Sequence, residues 1–289
     1  MKRVIGLAAV LLFADVTSAL AENGCASLSG GGGIVFGTYL GLLLNNSGSG
    51  QVNCVNGVHY EITAGAGTSA GAAVTTRKMS GPSGAKLAYT LTQDLPHTQN
   101  WGNTMNNDTI PGTGTGAVQT FSFFATLPAG QNLTPGSYSD AVAIQVNPNQ
   151  GPRQSSSVSV VATIVAACTV SATNLNFGTY TGAVTNLTST VTASCTNSTA
   201  YNIGFNAGTS VGATVTTRKM TGPGGLTLAY SLFRNSTHTL NWSNTIGTST
   251  LAGTGNGSAQ VLTVYGRIPA GTVPNPGAFS DTIIATLTY

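Results

Sequence analysis

Residues 74–91, VTTRKMSGPSGAKLAYTL, return as VTTRKMTGPGGLTLAYSL at residues 215–232, 141 positions further on. The same displacement carries Phe36 onto Phe177, Tyr39 onto Tyr180, Cys54 onto Cys195, Trp101 onto Trp242 and Asp140 onto Asp281. Only the first cysteine of each copy departs from it. Cys25 and Cys168 are 143 apart, which marks a small insertion or deletion near the start of the unit. A chain that spells one long pattern twice folds as two homologous units, and 289 residues suit two ordinary domains.

Each copy holds two of the four cysteines. Four cysteines allow three connectivities, and the duplication favours the local one, Cys25 with Cys54 and Cys168 with Cys195. Bridges suit an exported chain. Residues 1–21 begin Lys2-Arg3, run apolar to Phe13 and end on small residues at Ala19 and Ala21, as an export signal does. The mature chain is therefore expected from Glu22, with only ENG before Cys25. Charged residues make up 6% of the chain and the formal charge is +3, too thin an excess for a phosphate-binding surface, so nucleic acid is not an expected partner.

Thirty-eight glycines, with abundant Thr, Ser and Val, favour strands and tight turns over helices. Short strand patterns separated by GPSG, PAGQNLTPG and GTGTG read as antiparallel sandwiches. In the second copy they fall at 190–193, 201–205, 227–232 and 260–265. The last is 282–289, with Ile283, Ala285, Leu287 and Tyr289 on one face. The first copy closes with a strand at 141–146. A linker follows at 147–157, and then SVSVVATIVAAC supplies an element with no counterpart after the second copy. Val158, Val160, Ala162, Ile164 and Ala166 share one apolar face of that strand. It is expected to complete the first unit, leaving the second with an open edge.

The ordered pieces VFGTY, TTRKM, LAYTL, NWG, GTGTG, LPAG and YSDAVAIQV of the first copy, and NFGTY, TTRKM, LAYSL, NW, GTGNG, IPAG and SDTIIATLTY of the second, resemble the spore coat protein U domain family. That family includes subunits of archaic chaperone-usher pili. The resemblance implies an all-β fold of two tandem incomplete immunoglobulin-like β-sandwiches. It divides the chain into a signal at 1–21, a tip domain at 22–146, a linker at 147–157 and a pilin domain at 158–289 led by the donor-like strand. It implies a pilus tip subunit for adhesion and biofilm attachment, exported through the periplasm and displayed extracellularly. Its partners would be a periplasmic chaperone, an outer-membrane usher and an adjacent pilus subunit, with a hydrophobic surface or a glycan as ligand. A spore-coat-like structural protein and a carbohydrate-binding module are the alternatives.

Several residues invite a functional reading. Leu40, Leu42, Leu43 and Leu44 stand where the second copy has Thr181, Ala183, Val184 and Thr185, and Leu95 stands where it has Ser236. With Leu42, Leu43, Leu44 and Leu95 as its centre, this set reads either as an apolar contact loop at the far end of the first domain or as a loop folded over the core. Arg77-Lys78 and Arg218-Lys219 read as a solvated strand end. Trp101 and Trp242 read as core anchors before sugar platforms. GTGTG and GTGNG lack the lysine of a phosphate loop. His59, His97 and His238 have no metal-ligand spacing, so no metal or other cofactor is expected. The carboxylates Asp94 and Asp108 become Asn235 and Ser249 in the second copy, and no catalytic constellation emerges. The expectation is a protein without enzymatic activity.

Overall fold

The computed structural model describes residues 23–289, so the expected signal at 1–21 lies outside the described residues. The first copy forms β1 (Cys25–Ser29), β2 (Ile34–Tyr39), β3 (Leu44–Cys54), β4 (His59–Ala64), β5 (Arg77–Ser80), β6 (Lys86–Thr92), β7 (Ile110–Thr113), β8 (Val118–Leu127), β9 (Gly136–Pro148) and β10 (Gln154–Ile164). The second forms β11 (Cys168–Ala172), β12 (Thr185–Cys195), β13 (Ala200–Phe205), β14 (Arg218–Thr221), β15 (Thr227–Phe233), β16 (Leu251–Thr254), β17 (Ala259–Ile268) and β18 (Ala285–Thr288). The fold is all-β, two tandem immunoglobulin-like sandwiches of which the second is incomplete.

In the first unit β1, β3, β8 and β6 lie side by side, and the β5–β6 hairpin carries the ladder round to a second layer. There β9 is central. It pairs with β4 along one side, and β4 in turn with β7; along the other side it pairs with β10, which pairs with β2. Strict alternation makes this layer two-faced. Tyr138, Asp140, Val142, Ile144 and Val146 of β9 all point into the core. The second unit repeats the first layer as β11-β12-β17-β15-β14 and keeps only β16-β13-β18 of the other. The two hydrophobic clusters are separate, one for each copy.

Two expectations need correction. Residues 147–157 are not a linker: β9 runs to Pro148, β10 starts at Gln154, and only a turn separates them. The apolar alternation of β10 finds a groove in the first core, so that unit extends to Ile164, and residues 165–167 alone lead into β11. The final strand is also shorter than residues 282–289. Regular pairing is confined to β18, and Tyr289 is exposed.

Candidate functional site

β10 lies in a groove of the first unit. Gln154 to Ile164 pairs antiparallel with Val146 to Gly136 over its whole length, and residues 160–164 pair parallel with β2. Val158, Val160, Ala162 and Ile164 are buried in the same cluster as Ile34, Phe36, Tyr39 and Trp101. Burying the three larger side chains contributes about 5 to 9 kcal/mol before ordering costs. The strand passes very close to its floor: a Cβ at Gly33, which has φ +72°, would lie 2.3 Å from the Ser159 carbonyl oxygen. Only glycine fits there. Ala166, placed on the donor face by the alternation, is exposed beyond the strand's end, because β10 stops at Ile164 where the chain leaves for the second unit.

The corresponding groove of the second unit is unfilled among the described residues. Its walls are nevertheless in place. Tyr180 donates its hydroxyl to Pro269 O at 2.8 Å, just as Tyr39 donates to Pro128 O at 2.7 Å. On the other side β18 is held by β13. Residues 175–180 have no ladder partner and form no strand, whereas their counterparts in β2 pair with β10. The counterpart of the 13-residue β9 is the 4-residue β18. Side chains that β10 would cover are left half-exposed. Phe36 and Tyr39 are 9% and 2% accessible, while Leu175, Phe177, Tyr180, Met220, Leu228, Ile283, Ala285 and Leu287 are only partly buried.

Beneath each groove lies a polar spine that the motifs did not reveal. Arg77, expected at a solvated strand end, is wholly buried. Its Nε donates to Gly65 O (2.8 Å), Nη1 to Val74 O (2.6 Å), and Nη2 to Ala64 O (3.2 Å) and Trp101 O (2.6 Å). Desolvation lowers its pKa to about 10. Arg218 is equally buried and bonds Asn206 O, Phe205 O and Trp242 O, but its Nη1 has no partner. The indoles of Trp101 and Trp242 are buried and donate to Ile62 O and Ile203 O, so neither offers a platform for a sugar. Asp140 accepts from Thr68 and from the Tyr89 hydroxyl (2.8 Å), and Asp281 does the same with Thr209 and Tyr230. Burial and that hydrogen bond push both tyrosine hydroxyls well above their usual range. The recurrence of TTRKM in both copies was the available signal, since a surface arginine would have no reason to be kept in phase with Trp and Asp.

The remaining candidates disperse. Cys25–Cys54 and Cys168–Cys195 are disulfides, each joining the first strand of its ladder to the end of the adjacent strand, β3 or β12. Asp94 is occupied by the Thr98 side chain and the Thr98 and Gln99 amides, which hold its carboxyl below the usual range. Asp108 is engaged by Asn100 and Thr104. Among the described residues no cluster of His, Cys, Asp or Glu could hold a metal. Leu40, Leu42, Leu43 and Leu95 are exposed, but Leu44 begins β3 and packs against the core, so it leaves the contact set. The leucine loop also lies at the wrong end for a far tip: it follows Tyr39, which pairs with Ile164, the last residue of β10, from which residues 165–167 lead into β11.

A model of the Spore Coat Protein U domain matches residues 12–145 and again 154–286. The chain belongs to the spore coat protein U domain family. Protein U of Myxococcus xanthus is 34% identical over 131 residues, covering 41% of this chain and 73% of that protein. In fold the chain is similar to a chain of the CsuC–CsuE chaperone–tip adhesion subunit pre-assembly complex from archaic chaperone-usher Csu pili of Acinetobacter baumannii. That match has a TM-score of 0.51 at 16% identity and covers 91% of this chain and 100% of the other. The family match thus falls on both sandwiches, the closed one and the open one.

Proposed function

We propose that this spore coat protein U domain chain is a pilus tip subunit, mediating adhesion and biofilm attachment and assembled by chaperone-usher donor-strand complementation. One observation carries the reading: the same sandwich occurs twice in one chain, with β10 in its groove the first time and, among the described residues, no strand there the second. A periplasmic chaperone would fill the second groove during export, the outer-membrane usher would present it, and a neighbouring pilus subunit would fill it afterwards. Strand addition suits the site, because main-chain bonds hold the incoming strand and alternate side chains enter the core. The first unit would face outward, with its fold closed by its own chain. Exposed Leu40, Leu42, Leu43 and Leu95 support a hydrophobic surface as ligand over a glycan, met on the side of the first unit that carries the leucine loop rather than at its far end, since apolar burial needs no converging polar groups.

Co-expression with the cognate chaperone tests the assembly. A one-to-one complex that is lost when the second groove is filled supports the reading. A stable monomer that ignores the chaperone favours a spore-coat-like structural role instead. For the ligand, Leu42→Ser with Leu43→Ser should reduce attachment to hydrophobic plastic while chaperone binding persists; undiminished attachment removes these leucines from the contact.

A further inference from the structure

The occupied groove is a template for the empty one, and the two differ in a way that specifies the missing strand. In the first unit the inward positions of β10 face β9 in fixed register: Ser156 opposite Ile144, Val158 opposite Val142, Val160 opposite Asp140, Ala162 opposite Tyr138 and Ile164 opposite Gly136. The 141-residue displacement converts these β9 residues into Ala285, Ile283, Asp281, Phe279 and Gly277. At four of the five positions the side chain is the same or nearly the same size. The fifth does not: Ile144, which is 1% accessible, becomes Ala285, and three carbon atoms leave the wall.

The polar partner of Ser156 is lost at the same place. In the first unit its hydroxyl oxygen accepts the Gly30 N–H at 3.4 Å. In the second unit the segment between the first cysteine and the phenylalanine is two residues shorter, and the amide just after β11, Thr173 N–H, is already donated to Thr190 O at 2.9 Å. A serine in that position would enter a larger space without the amide that meets Ser156 in the first unit.

We infer that the strand completing the second groove carries a bulky aliphatic or aromatic side chain at the position Ser156 holds in β10. The occupant, which the reading above takes from another molecule, is therefore an extended segment with an apolar alternation one position longer than that of β10. It keeps a small residue opposite Phe279, as Ala162 is small opposite Tyr138. This inference rests on the open-groove reading above and names the chemistry of the strand that the reading requires.

The test uses the full chain, refolded with labelled synthetic peptides and followed by fluorescence anisotropy. One peptide is QSSSVSVVATI, the sequence of β10; a second carries Ser156→Leu; a third carries Ser156→Leu and Ala162→Leu. The second should bind about tenfold more tightly than the first, as expected for one further buried leucine. The third should lose that gain by overpacking against Phe279. In the Ala285→Ile chain the preference for the second peptide should vanish. Equal affinities of the first two peptides for the native chain overturn the inference and leave the open groove standing. Uptake of none of the three overturns the open groove, and this inference falls with it.

Discussion

Four backbone carbonyls meet the Arg77 guanidinium in a place water does not reach. They come from the ends of segments that regular pairing leaves unsatisfied, so the side chain substitutes for a missing piece of ladder. Arg77→Met should cost the first unit at least about 3 kcal/mol, since each abandoned buried carbonyl is worth about 1–3 kcal/mol. Arg218→Met should cost less, because Arg218 bonds three carbonyls and its Nη1 bonds none. Urea denaturation of the two variants checks the order, and equal losses would count against it. Burial also raises Tyr60, Tyr89, Tyr138, Tyr201 and Tyr230 above their ordinary range. Above about pH 10 these tyrosines ionise in the unfolded chain but stay protonated in the folded one. The folded state then holds more protons, and its stability falls as pH rises. Arg77 and Arg218, each lowered to about 10, act in the opposite sense but are outnumbered. The thermal midpoint is expected to drop through pH 10–11, with tyrosinate absorbance lagging until unfolding; a midpoint that holds or climbs contradicts this account.

At the scale of the strand, β10 determines the state of both its neighbours. With it, residues 34–39 form β2 and β9 runs for 13 residues; without it, residues 175–180 form no strand and β18 has 4 residues. Val160→Asp places a carboxylate opposite the buried Asp140. An unpaired charge facing a like charge in a dry core should cost on the order of 4 kcal/mol. The expected readout is faster hydrogen exchange at residues 34–39 and in β9, with β11–β18 unchanged; retained protection in β2 would show that β10 does not hold it. Much of this was legible beforehand. The period-two face from Val158 to Ile164 was enough to expect a strand that closes the first unit. Ala166 was misplaced because alternation does not mark where a strand leaves its sheet. The linker was misplaced because Gly151 and Pro152 signal a turn equally well within a hairpin and between domains. Arg77 escaped notice because a sequence cannot display the carbonyls that surround an arginine. The leucine loop could be recognised as greasy, but its place at the junction end depends on the pairing of Tyr39 with Ile164.

For the whole molecule, the duplication makes each unit a control for the other. Charge is scarce, at 6% of residues, so little electrostatic repulsion guards the half-exposed groove against pairing with other edges. The groove's state should therefore dominate the behaviour of the chain in solution. Tyr289 stands where the first copy has Pro148, the last residue of β9, so a second β10 can be supplied in register by appending a copy of residues 149–164 directly after Tyr289. With Ser156→Leu in the appended copy, it should lie antiparallel to β18 and parallel to residues 175–180. The extended chain is expected to be monomeric, to show a higher unfolding midpoint for the second unit, to protect the amides of residues 175–180, and to take up neither chaperone nor peptide. The first unit should unfold as before, since its groove is already filled. Size-exclusion chromatography, calorimetry and hydrogen exchange on the same preparation separate the possibilities. If residues 175–180 remain unprotected and the chaperone still binds, the second groove is not an acceptor for this strand, and the closed first unit ceases to be a guide to the completed second.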